Sequence, residues 1–329
     1  MILEHAWTGE QAEPSRPEVG MDRRAFLAGL TTGVGAGWLP RAAPAASGGP
    51  TRLILLGTGG GPRPRKASSA AAQVIVANGA AYVVDCGNGV ARQLVFAGVP
   101  LASVRHVLVT HHHSDHNADY GNLMLLAWTA GLRTRVDTWG PPPLEKNTRL
   151  FFEMSAFDID TRIANEGRVP LVPLVHPHEI TEGGLVFQDE ALRVTATLVD
   201  HPPVVPAFGY RFDGPDRSIV ISGDTRRSDA LVKLAQGADV LVHSVLYVPA
   251  VDRLVAKVPN AASLKESIIA HQTSVEDAGR VAAAAGVKTL VLSHLIPADD
   301  LEVTEQMWLD AAGAHFKGKV IVGRDLQEI

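Results

Sequence analysis

The stretch Thr110-His111-His112-His113-Ser114-Asp115-His116 follows the apolar run Val107-Leu108-Val109 and decides how this chain is read. Val104 to Thr110 has strand character, so the histidines arrive at a strand's C-terminal end. Residues two apart in an extended segment point the same way. His111 and His113 can therefore grip one metal ion together. Asp115 and His116 lie just beyond, where the chain turns, and can face a second ion. Zinc takes imidazole and carboxylate ligands at about 2.0–2.2 Å. Three consecutive histidines alone could be an accidental metal-binding tract; H-x-H-x-D-H after an apolar strand is far more specific.

Outward from this cluster, three more candidates stand at predicted strand ends: His201, Asp224 in Ser222-Gly223-Asp224-Thr225, and His294 after Thr289–Ser293. A carboxylate has two oxygens, so Asp224 suits a bridge between two ions. His106 and His178 carry no such pattern and read as structural or solvated. Upstream, Arg52 to Gly61 reads as a buried strand running into a Gly-rich turn. Gln73–Val76 and Ala81–Asp85 form a hairpin around Asn78-Gly79. Helical spacing covers roughly 88–97, 122–130, 229–236 and 275–285, and Ser218–Ser222 and Val240–His243 are strands. Strands come first in hairpins, then alternate with helices, which predicts sheets with helices on their outer faces. Nothing splits residues 46–329, which are expected to form one catalytic domain.

The chain has 329 residues, 46% hydrophobic and 20% charged, the composition of a folded globule. Its net charge is −5 and it has no stretch of five or six consecutive Lys/Arg, which speaks against nucleic acid as a partner. Cys86 is the single cysteine, so no intrachain disulfide forms, and it reads as a small buried residue.

The amino-terminal region reads as an address. Asp22-Arg23-Arg24-Ala25-Phe26-Leu27 opens a modest apolar run to Leu39, and Ala43-Pro44-Ala45 supplies a cleavage site. Paired arginines before Phe-Leu resemble the twin-arginine export motif. Residues 1–45 are thus expected to be an extension plus a signal peptide. Translation would start at Met21 and the mature chain near Ala46. Partnership with the twin-arginine export machinery and a periplasmic location follow from this reading.

Taken together, these motifs resemble the metallo-β-lactamase superfamily, and its ribonuclease Z-like branch in particular. The resemblance covers almost all of residues 51–329. It is carried by Leu56-Gly57-Thr58-Gly59, Asp85-Cys86-Gly87-Asn88-Gly89, Thr110 to His116, Gly140-Pro141, His201 with Phe208-Gly209-Tyr210-Arg211, Ser222 to Thr225, His243, His271-Gln272-Thr273 and Ser293-His294. It implies an α+β fold, an αββα sandwich. It implies one zinc on His111, His113, His201 and Asp224, and a second on Asp115, His116, Asp224 and His294. Iron or manganese fits the same ligands. His271 becomes a candidate proton donor, and His243 a support or pocket residue. Two departures stand out. Ser244 follows His243 where the branch has Glu. The interval from His201 to Asp224 is short, where tRNA-processing members carry a long Gly/Pro-rich arm.

Zinc in such a set lowers the pKa of coordinated water to about 7, which makes the chain a metal-dependent hydrolase. Asp115 would orient the water and take its proton; His271 would protonate the leaving group. Trp128, Trp139, Phe208, Tyr210 and Tyr247 fall near metal motifs and could wall an apolar pocket. Arg65 and Lys66 could meet an anionic substrate. The missing arm, the acidic charge and the export signal lead to an exported hydrolase of a small ester, lactone or related electrophile, with nucleic acid not expected among its partners and a homodimer as an option. The alternatives are a ribonuclease Z-like phosphodiesterase, a hydrolytic dehalogenase or sulfatase, and a non-catalytic metal-binding protein.

Overall fold

Side-chain alternation sets the layers of this molecule. The computed structural model describes residues 49–258 and 260–329. The expected signal segment, residues 1–45, lies outside them. In β1 (Arg52–Gly57), Leu53 and Leu55 face one core and Ile54 and Leu56 another. A strand buried on both faces needs this unbroken apolar run.

β1 joins β2 (Ala72–Ala77), β3 (Ala80–Val84), β4 (Val104–Leu108), β5 (Val136–Gly140) and β6 (Val175–Glu179) in one sheet, in chain order. β1 to β3 are antiparallel and β3 to β6 parallel. The β2–β3 turn is Asn78-Gly79, both at positive φ (49° and 78°), as the sequence predicts. The second sheet runs β7 (Gly184–Gln188), β8 (Arg193–Leu198), β9 (Phe208–Asp213), β10 (Ser218–Ile221), β11 (Val240–Leu246), β12 (Thr289–Ile296) and β13 (Lys319–Val322). β7 to β10 are antiparallel, and β10 to β13 parallel.

The facing sides of the two sheets share one core, including Leu53, Tyr82, Leu108, Phe208, Tyr210, Ile221 and Val291. Helices Val90–Phe96, Tyr120–Thr129, Leu144–Met154 and Ala156–Glu166 bury their apolar sides on the first sheet's outer face. Helices Asp229–Leu234, Val275–Ala285 and Glu305–Gly313 do so on the second. The result is the αββα sandwich. The parallel strands bring the segments after β4, β10 and the end of β12 to one edge, where the candidate ligands gather.

One expected strand end differs. β12 continues past Ser293 to Ile296, and His294 is the extra residue of a bulge, at φ 47°. A bulge re-aims a side chain without ending the strand. Here it turns His294 toward Asp115.

Candidate metal centre

Three ring nitrogens converge where the sequence places the first ion. His113 Nδ1 lies 3.0 Å from His111 Nε2 and 3.2 Å from His201 Nε2. The other nitrogens fix the tautomers. Thr110 Oγ1 donates to Asp85 Oδ2 at 2.9 Å, so it accepts from His111 Nδ1–H at 3.0 Å. His201 Nδ1–H donates to the His271 carbonyl at 3.2 Å. His111 Nε2 and His201 Nε2 are therefore bare lone pairs aimed at one point, an arrangement a cation resolves.

Asp115, His116, Asp224 and His294 form the adjoining half. His116 Nδ1–H donates to Asp85 Oδ2 at 2.7 Å, which turns its Nε2 to Asp224 Oδ1 (3.5 Å) and Asp115 Oδ2 (3.6 Å). His294 Nε2 lies 3.2 Å from Asp115 Oδ2 and 3.3 Å from Asp224 Oδ2. The Gly-rich turn closes this half: Gly61 N–H donates to Asp115 Oδ2 at 2.9 Å. A Cβ on Gly60 would stand 2.6 Å from His294 Nδ1, so only glycine fits there.

The donor set fits divalent metal. The groups His111/His113/His201, His111/His116/Asp224 and Asp115/His116/His294 each keep their ligand atoms within 4.8 Å of one another. His116 Nε2 and Asp224 Oδ1 are buried with no hydrogen-bond partner among the described residues. Such orphans cost about 1–3 kcal/mol each unless something pairs with them. Electrostatics agree. Burial disfavours the His116 imidazolium, yet without an ion Asp224, Asp85 and Asp115 outweigh it and hold its pKa well above the ordinary value: the carboxylates draw positive charge to the spot where a metal ion would displace the Nε2 proton. Burial also opposes the Asp224 carboxylate, and His294 and His116 overcome it and hold its pKa well below. Burial pushes His111 down, so it is neutral and ready to ligate.

A cavity of about 320 Å³ opens over His113, Asp115, His201, Asp224 and His294. His271, Arg63 and Arg65 line it as well. Its apolar wall is Leu254, Val258, Leu264, Ile268 and Ile296. The expected aromatic wall is corrected here. Phe208 and Tyr210 alternate inward on β9 with Phe212 and fill the core between the sheets. Trp139 stacks on His178 at 4.0 Å between ring centroids. Trp128 and Tyr247 pack in the two outer cores. None of the five lines the cavity. His243 is fully buried on β11; its Nδ1–H donates to the Ser244 carbonyl at 2.7 Å, and burial pushes its pKa down to about 4. Its Nε2 has no hydrogen-bond partner among the described residues, so no described carboxylate stands in for the Glu that Ser244 replaces.

Two contributors lie outside the ligand motifs. Asp85, at φ 61°, ties Thr110 and His116 to one carboxylate. Gln272 Nε2 donates to Asp224 Oδ2 at 2.7 Å. The Asp85 motif was visible in sequence; its partners, 25 and 31 positions away, were not.

Comparison with known proteins places this geometry. The family model of the beta-lactamase superfamily domain matches residues 81–295. The chain belongs to the metallo-β-lactamase superfamily. A protein named ribonuclease Z from Mycobacterium bovis (strain BCG / Pasteur 1173P2) is 34% identical over 280 residues, covering 84% of this chain and 97% of that protein. A ribonuclease Z from Mycobacterium marinum (strain ATCC BAA-535 / M) is 33% identical over 281 residues, with 84% and 97% covered. Human tRNase Z, short form, has the same fold at a TM-score of 0.61, 21% identity and 84% and 98% coverage. Like these ribonuclease Z homologues, this superfamily member is a metal-dependent hydrolase.

These relatives overturn the expectation of an exported small-molecule hydrolase for which nucleic acid is an improbable partner. Two arguments behind it fail. With 97% of the M. bovis protein and 84% of this chain inside a 280-residue alignment, there is no room for a long arm present there and lost here. Net charge is a sum over the whole chain, whereas Arg63, Arg65, Lys66 and Arg92 line one cleft beside the metal centre. Local field, not net charge, meets a polyanion.

Proposed function

We propose that the chain is a dinuclear zinc phosphodiesterase that cleaves RNA. One observation carries the reading: a single cavity is lined by imidazoles and carboxylates grouped to hold metal and by two arginines. His111, His113, His201 and Asp224 would hold one ion, and Asp115, His116, Asp224 and His294 the other. Imidazole and carboxylate donors favour zinc. Bound there, the two ions would supply Lewis-acid charge and water acidified toward neutral pH.

The chain's own groups do the rest. Arg63 and Arg65 offer guanidinium charge to the phosphate. Arg65 is anchored by donating to the Gly60 and Gly61 carbonyls, the turn that also holds Asp115. Asp115 is the base for the attacking water. His271, on the cavity wall with Ser267 Oγ 3.2 Å from its Nδ1, protonates the leaving oxygen. The test is hydrolysis of bis(p-nitrophenyl) phosphate and of a tRNA transcript by zinc-loaded protein. Cleavage that chelator abolishes is expected. A fully loaded protein that cleaves neither phosphodiester sinks the reading.

On Asp22–Leu27 and Ala43-Pro44-Ala45 we also propose twin-arginine export to the periplasm. A mature N-terminus near Ala46 in the periplasmic fraction supports it; full-length protein confined to the cytoplasm refutes it.

A further inference from the structure

Gln272 reaches the centre from the end of helix Leu264–His271. Its Nε2 donates to Asp224 Oδ2 at 2.7 Å. A carboxylate only accepts, so the amide nitrogen must be the atom facing it. Gln272 Oε1 is buried and has no hydrogen-bond partner among the described residues, so Asp224 is what holds this side chain. The backbone around it is pinned. The His271 carbonyl accepts from His201 Nδ1–H at 3.2 Å, Thr273 Oγ1 donates to the Thr225 carbonyl at 2.6 Å, and Leu246 N–H donates to the Thr273 carbonyl at 2.8 Å.

The two oxygens of Asp224 are consequently unequal. Oδ1 faces His116 and accepts no hydrogen bond. Oδ2 faces His294 and accepts from Gln272. A carboxylate oxygen has lone pairs enough for one hydrogen bond and one ion together. The amide thus fixes the rotation of the carboxylate and decides how Oδ2 is presented to the Asp115/His116/His294 half.

We propose that Gln272 is a positioning residue for Asp224 on which that half of the centre depends. The inference rests on the reading of Asp224 as an ion-holding carboxylate. Groups that hydrogen-bond a metal ligand are typically worth about 10–100-fold in metal affinity. A purely space-filling Gln272 would not show this.

The experiment is a zinc titration of chelator-stripped full chain against a chromophoric competitor, in wild type and Gln272→Met. Methionine keeps the length and bulk and removes the donor. Wild type is expected to bind two ions. In Gln272→Met one binding event keeps its affinity, the other weakens about 10-fold, and the metal-free melting temperature is unchanged. Two unshifted events overturn the inference, and so do two equally weakened events with a lowered metal-free melting temperature. A wild type that binds no ions overturns the reading of the centre itself, and this inference with it.

Discussion

Two clusters of histidine and aspartate occupy this fold, and only one has spare lone pairs. The first is the centre after β4, β10 and the bulge of β12. The second lies toward the starts of the parallel strands β3 to β5, beside a cleft lined by Tyr82, Arg105, His106, Arg135, Asp137 and Asp189. There a ladder of rings runs from Tyr82 to His106 (5.1 Å), Phe187 (4.1 Å), Trp139 (5.4 Å) and His178 (4.0 Å). Its polar ends are used up. Tyr82 Oη–H donates to Asp189 Oδ2 at 2.6 Å, Trp139 Nε1–H to His106 Nδ1 at 3.4 Å, and His178 Nε2–H to Asp137 Oδ1 at 2.7 Å. At the metal centre, His111 Nε2 and His201 Nε2 carry bare lone pairs, and Asp224 Oδ1 accepts no hydrogen bond among the described residues. A count of histidines does not distinguish the two clusters; unspent acceptor capacity does.

Asp224→Ala tests that contrast hardest. The residue stands between both ion-holding groups, so its loss should lower zinc content and cut phosphodiester hydrolysis by on the order of 10³-fold. Metal analysis beside the hydrolysis assay reads both. Full zinc occupancy in the variant would break the assignment.

The sequence exposed this centre because its information is local. H-x-H-x-D-H is one turn after one strand, and Asp224 and the histidines 201 and 294 each follow an apolar run. The layers were legible for the same reason: β1, β10 and β12 are apolar on both faces, which only a strand covered on both sides tolerates. Contacts between segments distant in the chain were not legible. Gln272 meets Asp224 across 48 positions. Trp139, Phe208 and Tyr210 are near metal motifs in sequence, but strand alternation sends them between the sheets. The real cavity wall comes from Leu254, Leu264 and Ile268 on short helices and Val258 just past the first of them, none in a motif. Net charge misled because it averages over the surface.

His271→Ala sharpens the comparison within the centre. The side chain lines the cavity, while the contact that orients His201 comes from the His271 backbone and survives the substitution. Both ions should stay bound while kcat falls about 10²-fold. An unchanged kcat on RNA removes the side chain from the proton path.

The ladder should answer in stability instead. Asp189→Ala strips Tyr82 Oη of its acceptor, at a cost of about 1–2 kcal/mol in urea unfolding, with zinc content and turnover as in wild type. A loss of zinc in this variant would show that the two clusters are not independent.

The smallest effect expected is a pH dependence at Asp137. Burial raises its pKa, but the hydrogen bonds from Arg135 and His178 outweigh this and hold it at about 2. A carboxyl lowered in the folded state contributes stability above its unfolded pKa, near 4, and loses it as pH falls toward 2. The pair with Arg135 is partly exposed, so solvent screening limits the contribution to about 1 kcal/mol. Asp137→Asn should therefore be less stable than wild type at pH 6, and the gap should close progressively between about pH 4 and 2. Unfolding of metal-free protein isolates this term, because the metal centre then adds no ion binding of its own. A gap that stays constant across the range would mean that Asp137 acts through packing alone. The ladder would then lack the charge-assisted closure that sets it apart from the metal centre.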